Sequence, residues 1–160
     1  MQDDLCLTKK EIATLVKILP KLKWPLPYSV FVALGKSVPL IAIDLAVMPD
    51  PKHILLTYRK DEFYDNWHIP GMILRHKESV FDRLRNVARD ELCIRIKNIK
   101  FVGFFEYHEV RNHAIGLLFV ARPIGIPCDG QYFDTKRPPK NFLSSQLPAI
   151  KLLRNFSKKF

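Results

Sequence analysis

The chain has 160 residues, of which 48% are hydrophobic and 11% aromatic, so it fits one folded domain and is not a disordered chain. Its 26 lysines and arginines against 16 aspartates and glutamates give a formal net charge of +10. A positive field favours anionic partners, which include phosphorylated metabolites, nucleic acid and acidic membrane surfaces. We therefore expect a single domain over residues 1–160 with an anionic partner.

The hydrophobic pattern predicts helices and strands that are intermixed along the chain. In chain order the predicted elements are a helix at 9–19, strands at 40–48 and 53–59, a helix at 79–92, strands at 94–106 and 114–122, a loop at 125–141 and a helix at 144–156. This order indicates an α/β or α+β fold in which a mixed sheet lies between helices.

The cysteines and the apolar segments predict a cytoplasmic protein without a membrane span. The cysteines are odd in number and form no C-x-x-C pair, so reduced thiols are the simplest interpretation for Cys6, Cys93 and Cys128. The acidic start of the chain lacks the order of a signal peptide. The most apolar region, residues 28–48, is interrupted by a lysine, a proline and an aspartate, which argues against a transmembrane helix.

The helix predicted at 79–92 carries one carboxylate on its apolar face. At about 100° per residue, Val80, Leu84 and Val87 share one stripe, and Glu91 falls roughly 20° from Val80. An unpaired carboxylate buried there would cost roughly several kcal/mol. A basic partner, protonation or a bound cation would offset this cost. Alternatively, the helix ends near Glu91 and its side chain reaches water.

The loop before this helix supplies further oxygen ligands. Gly71 follows a proline, and a glycine there lets the backbone approach a ligand closely. Glu78 stands at the start of the helix, and Asp90 precedes Glu91 at its end. Oxygen-rich sets of this kind suit Mg²⁺ or Mn²⁺ bound together with substrate phosphates.

This loop and helix resemble a degenerate Nudix box, the motif of hydrolases that cleave nucleoside diphosphates linked to another moiety. The general pattern is G-x5-E-x7-R-E-U-x-E-E-x-G-U, in which U is a bulky aliphatic residue, and the first glycine is usually one of a pair. Gly71 matches the first glycine of that pair, and Met72 replaces the second, which is the G of the printed pattern. The other matching positions are Glu78, Asp90, Glu91 and Ile94, and the other departures are Asn86, Val87 and Cys93. The resemblance implies a Nudix α/β/α sandwich with a mixed central sheet.

The departures from the box resemble one branch of that family, the GDP-mannose mannosyl hydrolases. The branch has an aspartate in an aliphatic strand, an arginine after the next strand and a glutamine in a late acidic loop. These are matched by Asp44, Arg59 and Gln131. The resemblance implies that Arg59 faces the diphosphate and that Asp44 orients bound sugar or protein groups.

The same resemblance implies the metal ligands and the assembly. Mg²⁺ or Mn²⁺ would be held by the Gly71 carbonyl, Glu91 and Gln131, with Glu78 and Asp90 nearby or coordinating through water. The substrate would be a nucleoside diphosphate derivative, most consistently a nucleotide sugar such as GDP-mannose. The branch forms dimers, so we expect a homodimer that uses the N-terminal helix.

The general base differs from that of the branch. Tyr132 stands where the branch has a histidine, and Ile73 stands where it has an arginine. A tyrosine has a pKa near 10 and is a poor base at neutral pH, so His108 and His113 are alternatives to Tyr132 for this role. Both histidines also fit the polar end of a β-hairpin, which is the interpretation we favour for His113.

Several of these residues have structural interpretations as well. Asp44 and Arg59 could form a structural ion pair, and Gln131 could be a solvent-facing loop residue. The competing functional hypothesis is a Nudix-like module that binds a nucleotide or RNA without turnover. The missing box glutamate at Val87, the tyrosine at 132 and the net charge of +10 favour it. Nucleic acid would need exposed aromatics among basic residues, whereas aromatics at strand spacing more often belong to the core.

Overall fold

The computed structural model describes residues 7–109 and 112–157, so Cys6 lies outside the described residues. The chain divides into two compact units, Met1–Phe31 and Val32–Phe160. The candidate site residues named above all belong to the second unit. A single domain over the whole chain therefore stays a prediction.

Helix α1 lies in the first unit and spans Lys9–Ile18, which confirms the helix predicted at 9–19. The Thr8 side chain accepts the N–H of Glu11, and the Glu11 carboxylate accepts the N–H of Thr8. This capping box fixes the start of the helix. Within the described residues, no helix is both long and apolar enough to cross a membrane.

The remaining helices and strands are intermixed along the rest of the chain. In chain order they are α2 (Tyr28–Ser37), β1 (Leu40–Val47), β2 (His53–Lys60), β3 (Asp65–His68), β4 (Gly71–Ile73), α3 (Val80–Asp90), β5 (Arg95–His108), β6 (His113–Ile124), β7 (Gln131–Asp134) and α4 (Leu147–Ser157). The predicted strands and the helices at 79–92 and 144–156 are confirmed, with ends that differ by a few residues.

The strands form two sheets. The first has the order β4-β1-β6-β5, in which β1 runs parallel to β6 and the other neighbours are antiparallel. The second has the order β3-β2-β7 and is antiparallel throughout. The first sheet confirms the predicted mixed sheet.

The core lies on both faces of the sheets, because residues of β1 alternate between two apolar clusters. Leu45 belongs to the cluster that contains Leu84 of α3. Its neighbour Ala46 belongs to the cluster that contains Ile150 of α4. Since α3 and α4 cover opposite faces, the second unit is an α/β/α sandwich, and the predicted fold class is confirmed.

Four elements were missed by the sequence pattern. Helix α2 carries an apolar run with no clear helical stripe, and β3 and β4 have only four and three residues, too few to show alternation. Strand β7 lies inside the segment predicted to be a loop, and its four residues pair with β2.

Gly116 in β6 is expected to tolerate no larger residue. A Cβ atom at this position would lie 2.6 Å from the Asp44 Oδ2 atom and 2.8 Å from two ring carbons of Phe105. Both neighbours are buried, so Gly116→Ala should lower the free energy of unfolding by about 1 to 3 kcal/mol through overpacking. Urea unfolding of the variant and the parent protein measures this. An unchanged midpoint would show that the Asp44 carboxyl group can move aside.

Candidate active site

A surface pocket lies where β2, β3, β4 and the end of α3 meet. It is lined by Thr57, Tyr58, Arg59, Lys60, His68, Gly71, Glu91 and Asp129. The sequence-based candidates Arg59, Gly71 and Glu91 therefore share one cavity, although they lie on separate elements. We call this cavity the Glu91 pocket.

Glu91 caps the C-terminus of α3, and its side chain lies largely buried at the pocket wall. The helix does end there, but the side chain does not turn to bulk water. Burial raises the pKa of the Glu91 carboxyl group to about 7, and a hydrogen bond from the Gly71 backbone N–H and the charge of Arg59 act in the opposite direction. Among the described residues, no basic side chain lies within ion-pair distance of Glu91.

Asp44 is buried, with 1% of its surface exposed, and it pairs in the sheet with Gly71, which lines the pocket. Its Oδ1 atom accepts a hydrogen bond of 3.2 Å from Gln146 Nε2, whereas Oδ2 is buried without a hydrogen-bond partner. Burial, followed by the negative charge of Glu91, raises the pKa of Asp44 to about 8. At neutral pH the Asp44 carboxyl group is therefore largely protonated.

The carboxyl group of Asp44 occupies space left by two glycines on the neighbouring strands. A Cβ atom on Gly71 of β4 would lie 2.8 Å from Oδ1, and a Cβ atom on Gly116 of β6 would lie 2.6 Å from Oδ2. Gly71 is also the residue paired with Asp44 in the sheet. Gly71 thus makes room for a buried acid in addition to lining the pocket.

Arg59 does not form the ion pair with Asp44 that the sequence allowed. Its Nε atom lies 2.5 Å from Asp61 Oδ2, and its guanidinium carbon lies 4.7 Å from the centre of the Tyr64 ring. The side chain is 41% exposed at the pocket rim. It is therefore accessible to an anionic ligand.

Gln131 and Tyr132 do not line the Glu91 pocket. Gln131 pairs with Leu56 of β2, and the neighbouring residue of β2, Thr57, lines the pocket. Gln131 is exposed, and it lies on the same face of the β2–β7 pair as Leu56, which belongs to the core cluster covered by α4. Tyr132 is partly exposed, and burial raises the pKa of its hydroxyl group above the usual value, so even less of it is ionised and able to act as a base at neutral pH.

Glu78 is engaged in a structural network and not in the pocket. Its Oε2 atom accepts hydrogen bonds from the backbone of Arg75 and from Arg83, whose side chain is 2% exposed, and its Oε1 atom accepts one from Asn86. Asp90 lies on the exposed side of α3 and pairs with Arg89. Neither Glu78 nor Asp90 lines the Glu91 pocket, although the charge of Asp90 contributes to the raised pKa of Glu91.

His68 lines the pocket and was not among the sequence-based candidates. Its Nδ1 atom lies 3.0 Å from the Ile69 carbonyl oxygen, so this nitrogen carries the proton of the neutral ring. The Nε2 atom lies 3.2 Å from Thr57 Oγ1 and accepts its hydrogen bond. Burial lowers the pKa of His68, which keeps the imidazole neutral. Only the pairing of β2 with β3 brings His68 to the pocket, and the sequence carried no clear signal for β3.

Asp129 was also missed, because it lies in the segment predicted to be a loop. Gly130 follows it with a φ of 93°, and a Cβ atom there would lie 2.6 Å from the Leu56 carbonyl oxygen. Only glycine fits this turn. The turn carries Asp129 to the pocket wall.

The cysteines next to these carboxylates form a disulfide, which corrects the expectation of reduced thiols. Cys93 and Cys128 are joined across 35 residues, with their Cα atoms 5.6 Å apart. The N–H of Cys128 also donates to the Leu92 carbonyl oxygen. Local sequence does not indicate this pairing, because only the return of the β6–β7 loop to the end of α3 brings the cysteines together. The disulfide ties the segment that carries Asp129 to the helix end that carries Glu91.

Cys93 occupies the position at which the Nudix pattern has a glycine. Its φ is 56°, in the left-handed region that favours glycine at helix C-termini. The N–H of Ile94 donates to the Ala88 carbonyl oxygen and closes this end of the helix. The backbone of the box is therefore retained although the residue differs.

His108 lies at the far end of strand β5 and does not line the Glu91 pocket. It is paired with His113 of β6 across the hairpin, as expected for a polar hairpin end. Neither histidine is positioned to act on a ligand of the Glu91 pocket.

The donor set of the pocket fits a divalent cation that is shared with a phosphate ligand. Glu91 is a partly buried acid without an ion-pair partner among the described residues, and Asp129 adds a second carboxylate whose charge raises the pKa of Glu91. Mg²⁺ is commonly held by one or two carboxylates together with substrate phosphates and water. Two carboxylates beside an accessible arginine match that arrangement.

Comparison with known proteins identifies the fold. No family model matches the sequence, and no curated protein matches it significantly. The chain is similar to the MutT NUDIX hydrolase from Burkholderia pseudomallei, with a TM-score of 0.64 and 18% identity over 72% of this chain and 98% of that one.

Two further solved structures show the same likeness. The E. coli ORF135 protein has a TM-score of 0.63 and 16% identity over 75% of this chain and 92% of its own. An ADP-ribose pyrophosphatase from Streptococcus suis has a TM-score of 0.59 and 17% identity over 76% and 93%. At such low identity the likeness establishes architecture: the chain has the fold of the Nudix hydrolases.

Proposed function

We propose that this protein is a Nudix hydrolase that uses Mg²⁺ or Mn²⁺ to cleave a nucleoside diphosphate linked to another moiety. The observation that carries the proposal is the unpaired, largely buried carboxylate of Glu91, which faces a pocket together with Asp129 and an accessible Arg59. Such a carboxylate is stabilised by a cation. The Nudix fold supports the same class of reaction.

In this proposal each pocket residue has a separate role. Glu91 and Asp129 hold the cation, with the Gly71 carbonyl as the backbone ligand implied by the resemblance to the mannosyl hydrolases. The divalent ion would neutralise part of the negative charge of the diphosphate. Arg59 binds phosphate oxygens with its planar, permanently charged guanidinium group, for which it must exchange part of its contact with Asp61.

We assign the general base to His68 instead of Tyr132 or His108. Its Nε2 atom is unprotonated in the tautomer fixed by the Ile69 carbonyl, and the ring lines the same pocket as Glu91. A neutral imidazole can accept a proton near pH 7, whereas a tyrosine with a raised pKa cannot. To take a proton from water, Nε2 must exchange its hydrogen bond from Thr57 for one from the attacking water molecule.

The finer proposal for the substrate is a nucleotide sugar such as GDP-mannose. It rests on the resemblance of Asp44, Arg59 and Gln131 to the mannosyl-hydrolase branch. Asp44 is buried and Gln131 does not line the pocket, so Arg59 is the member of this set that lines it. The ADP-ribose pyrophosphatase among the structural neighbours makes ADP-ribose the first competing substrate to test.

A substrate screen is expected to show hydrolysis that depends on Mg²⁺ or Mn²⁺. Nucleotide sugars, ADP-ribose and nucleoside triphosphates should be compared at equal concentration with each metal and with EDTA. Turnover in water enriched in heavy oxygen then locates the attack, because label in the sugar indicates attack at the anomeric carbon and label in the phosphate indicates attack at phosphorus. Absence of turnover with every substrate would contradict the hydrolase assignment.

The second candidate function is a binding module for a nucleotide or RNA. The specific observations that favour it are that Val87 is fully buried where the Nudix pattern has a glutamate, and that both oxygens of Glu78 are engaged by neighbouring residues. Micromolar binding of a nucleotide without turnover in the same screen would select this function. Binding of single-stranded RNA that weakens strongly with salt would identify nucleic acid as the ligand.

Assembly and location are proposals as well. A homodimer through α1 is supported by apolar side chains that this helix and the following turn leave exposed, namely Leu15, Val16, Ile18 and Leu19. Sedimentation analysis tests it.

A cytoplasmic location stays a prediction, and the disulfide argues against it because cytosolic thiols are normally kept reduced.

A further inference from the structure

Three metal-ligating side chains meet at the end of the β5–β6 hairpin, away from the residues of the Glu91 pocket. Glu106, His108 and His113 each offer one ligand atom, and these atoms all lie within 4.8 Å of one another. No other set of three such residues is found among the residues that the structure describes. We call this set the hairpin cluster.

The backbone of the hairpin places the three side chains on one face. Glu106 and His108 are two residues apart in β5, and strand residues at this spacing point to the same side. His113 is the cross-strand partner of His108, so it also points to that side. The arrangement is therefore a consequence of strand pairing.

The two imidazole rings lack the partners that buried or paired histidines usually have. They stack with centres 4.3 Å apart and an interplanar angle of 26°, which is unfavourable if both are charged. The Nε2 atom of His113 is buried and has no hydrogen-bond partner. The nearest carboxylate contact of His108 is with Glu106 Oε2, at 4.0 Å. Two imidazole nitrogens and one carboxylate oxygen therefore form a set of metal-ligating atoms.

We propose that the hairpin cluster binds a divalent transition-metal ion of the Zn²⁺ class through one nitrogen each of His108 and His113 and one oxygen of Glu106. Two histidines and one carboxylate are a recognised zinc ligand set, and they leave a fourth position open for water or an external ligand. The electrons of Zn²⁺ impose no preferred coordination geometry. The ion can therefore accept ligands whose positions are set by the pairing of the two strands.

Two of the three ligand side chains are exposed, so an ion can reach them and they can change their rotamers to bind it. The side chains of His108 and Glu106 are 71% and 60% exposed, so an ion can reach them from solvent. The stacked His108 ring must rotate about its side-chain torsions to direct a nitrogen lone pair toward an ion held by His113. Its exposure leaves room for that rotation.

Zn²⁺ titration of the metal-free full chain tests the proposal. With excess Mg²⁺ present, calorimetry should show one Zn²⁺ bound per chain, and Co²⁺ should give the visible absorption bands of a low-coordinate nitrogen and oxygen site. His108→Ala and Glu106→Gln, both exposed, should each weaken Zn²⁺ binding by at least about tenfold. Neither variant removes a buried group, so both should fold.

Two control variants make the result specific. His76→Ala removes an exposed histidine outside the cluster, and Glu91→Gln removes the carboxylate of the Glu91 pocket. Both should bind Zn²⁺ like the parent. The proposal is overturned if the parent chain binds no Zn²⁺, if the two cluster variants bind as tightly as the parent, or if either control loses the binding.

Discussion

Glu91→Gln is expected to abolish metal-dependent hydrolysis while the protein stays folded. Loss of a group that only orients a metal ligand typically costs about 10- to 100-fold, so loss of the ligand itself should cost at least about 100-fold in kcat/KM. Glutamine has nearly the same shape as glutamate and retains one oxygen, so packing at the end of α3 is preserved. Rates with the best substrate of the screen, at several Mg²⁺ concentrations, measure the effect.

The same variant should be no less stable than the parent when metal is absent. Burial raises the pKa of Glu91 from 4.5 to about 7, so between these values the folded protein binds more protons than the unfolded chain. The free energy of unfolding contributed by Glu91 therefore falls as pH rises through this window, and it is lowest above pH 7. The glutamine side chain of the variant does not titrate, so urea unfolding in EDTA should show a weaker loss of stability from pH 5 to 8.

Asp82→Asn is the matched control for this experiment. It removes one carboxylate from the exposed side of the same helix, where Asp82 contacts Ser79 and Arg85. Its activity should equal that of the parent. Full activity of Glu91→Gln, or equal losses in both variants, would contradict the assignment of Glu91 as the metal ligand.

Removing the disulfide should produce the largest loss of stability. Cross-linking residues 35 positions apart restricts the unfolded chain, and the loop-closure relation gives about 3 to 4 kcal/mol for a loop of this length. Cys128→Ser should therefore lower the free energy of unfolding by about that amount. Equilibrium urea unfolding under oxidising conditions provides the measurement.

A reducing agent supplies the internal control. In excess dithiothreitol the parent protein should unfold at the same urea concentration as Cys128→Ser, because both then lack the cross-link. Cys6→Ser, which leaves the pair intact, should behave like the parent in both conditions. If the parent and Cys128→Ser have equal stability without reductant, the cysteines are not joined in solution.

Elements with long, regular patterns were predictable from the sequence, and short ones were not. Helix α3 combines an apolar stripe with the Ser79 cap, whose side chain accepts the N–H of Asp82. Strands β1, β5 and β6 carry eight or more residues each. Strands β3, β4 and β7 are defined mainly by pairing with a neighbour, which local sequence does not encode.

The same distinction applies to the candidate site. The helical phase was sufficient to place Glu91 on the apolar face of α3, but it left open whether the side chain is buried or reaches water at the helix end, and the structure shows it largely buried. Asp129 and His68 reach the pocket only through the geometry of the β6–β7 loop and the β2–β3 pairing. Gln131 was predicted by matching positions in a motif, and such matching does not determine which face of a strand a residue takes.

The fit of Asp44 between two glycines has a consequence for sequence divergence. Alanine at either position 71 or position 116 meets an oxygen of the same side chain, so the three positions are sterically dependent on one another. Among homologues, an acidic residue at 44 should therefore co-occur with glycine at both other positions. Loss of the acid should relax only part of each constraint, because the Ile43 carbonyl oxygen would still lie 2.9 Å from a Cβ atom at position 71, and the Phe105 ring 2.8 Å from one at position 116. An acidic residue at 44 beside a larger residue at 71 or 116 would contradict this dependence.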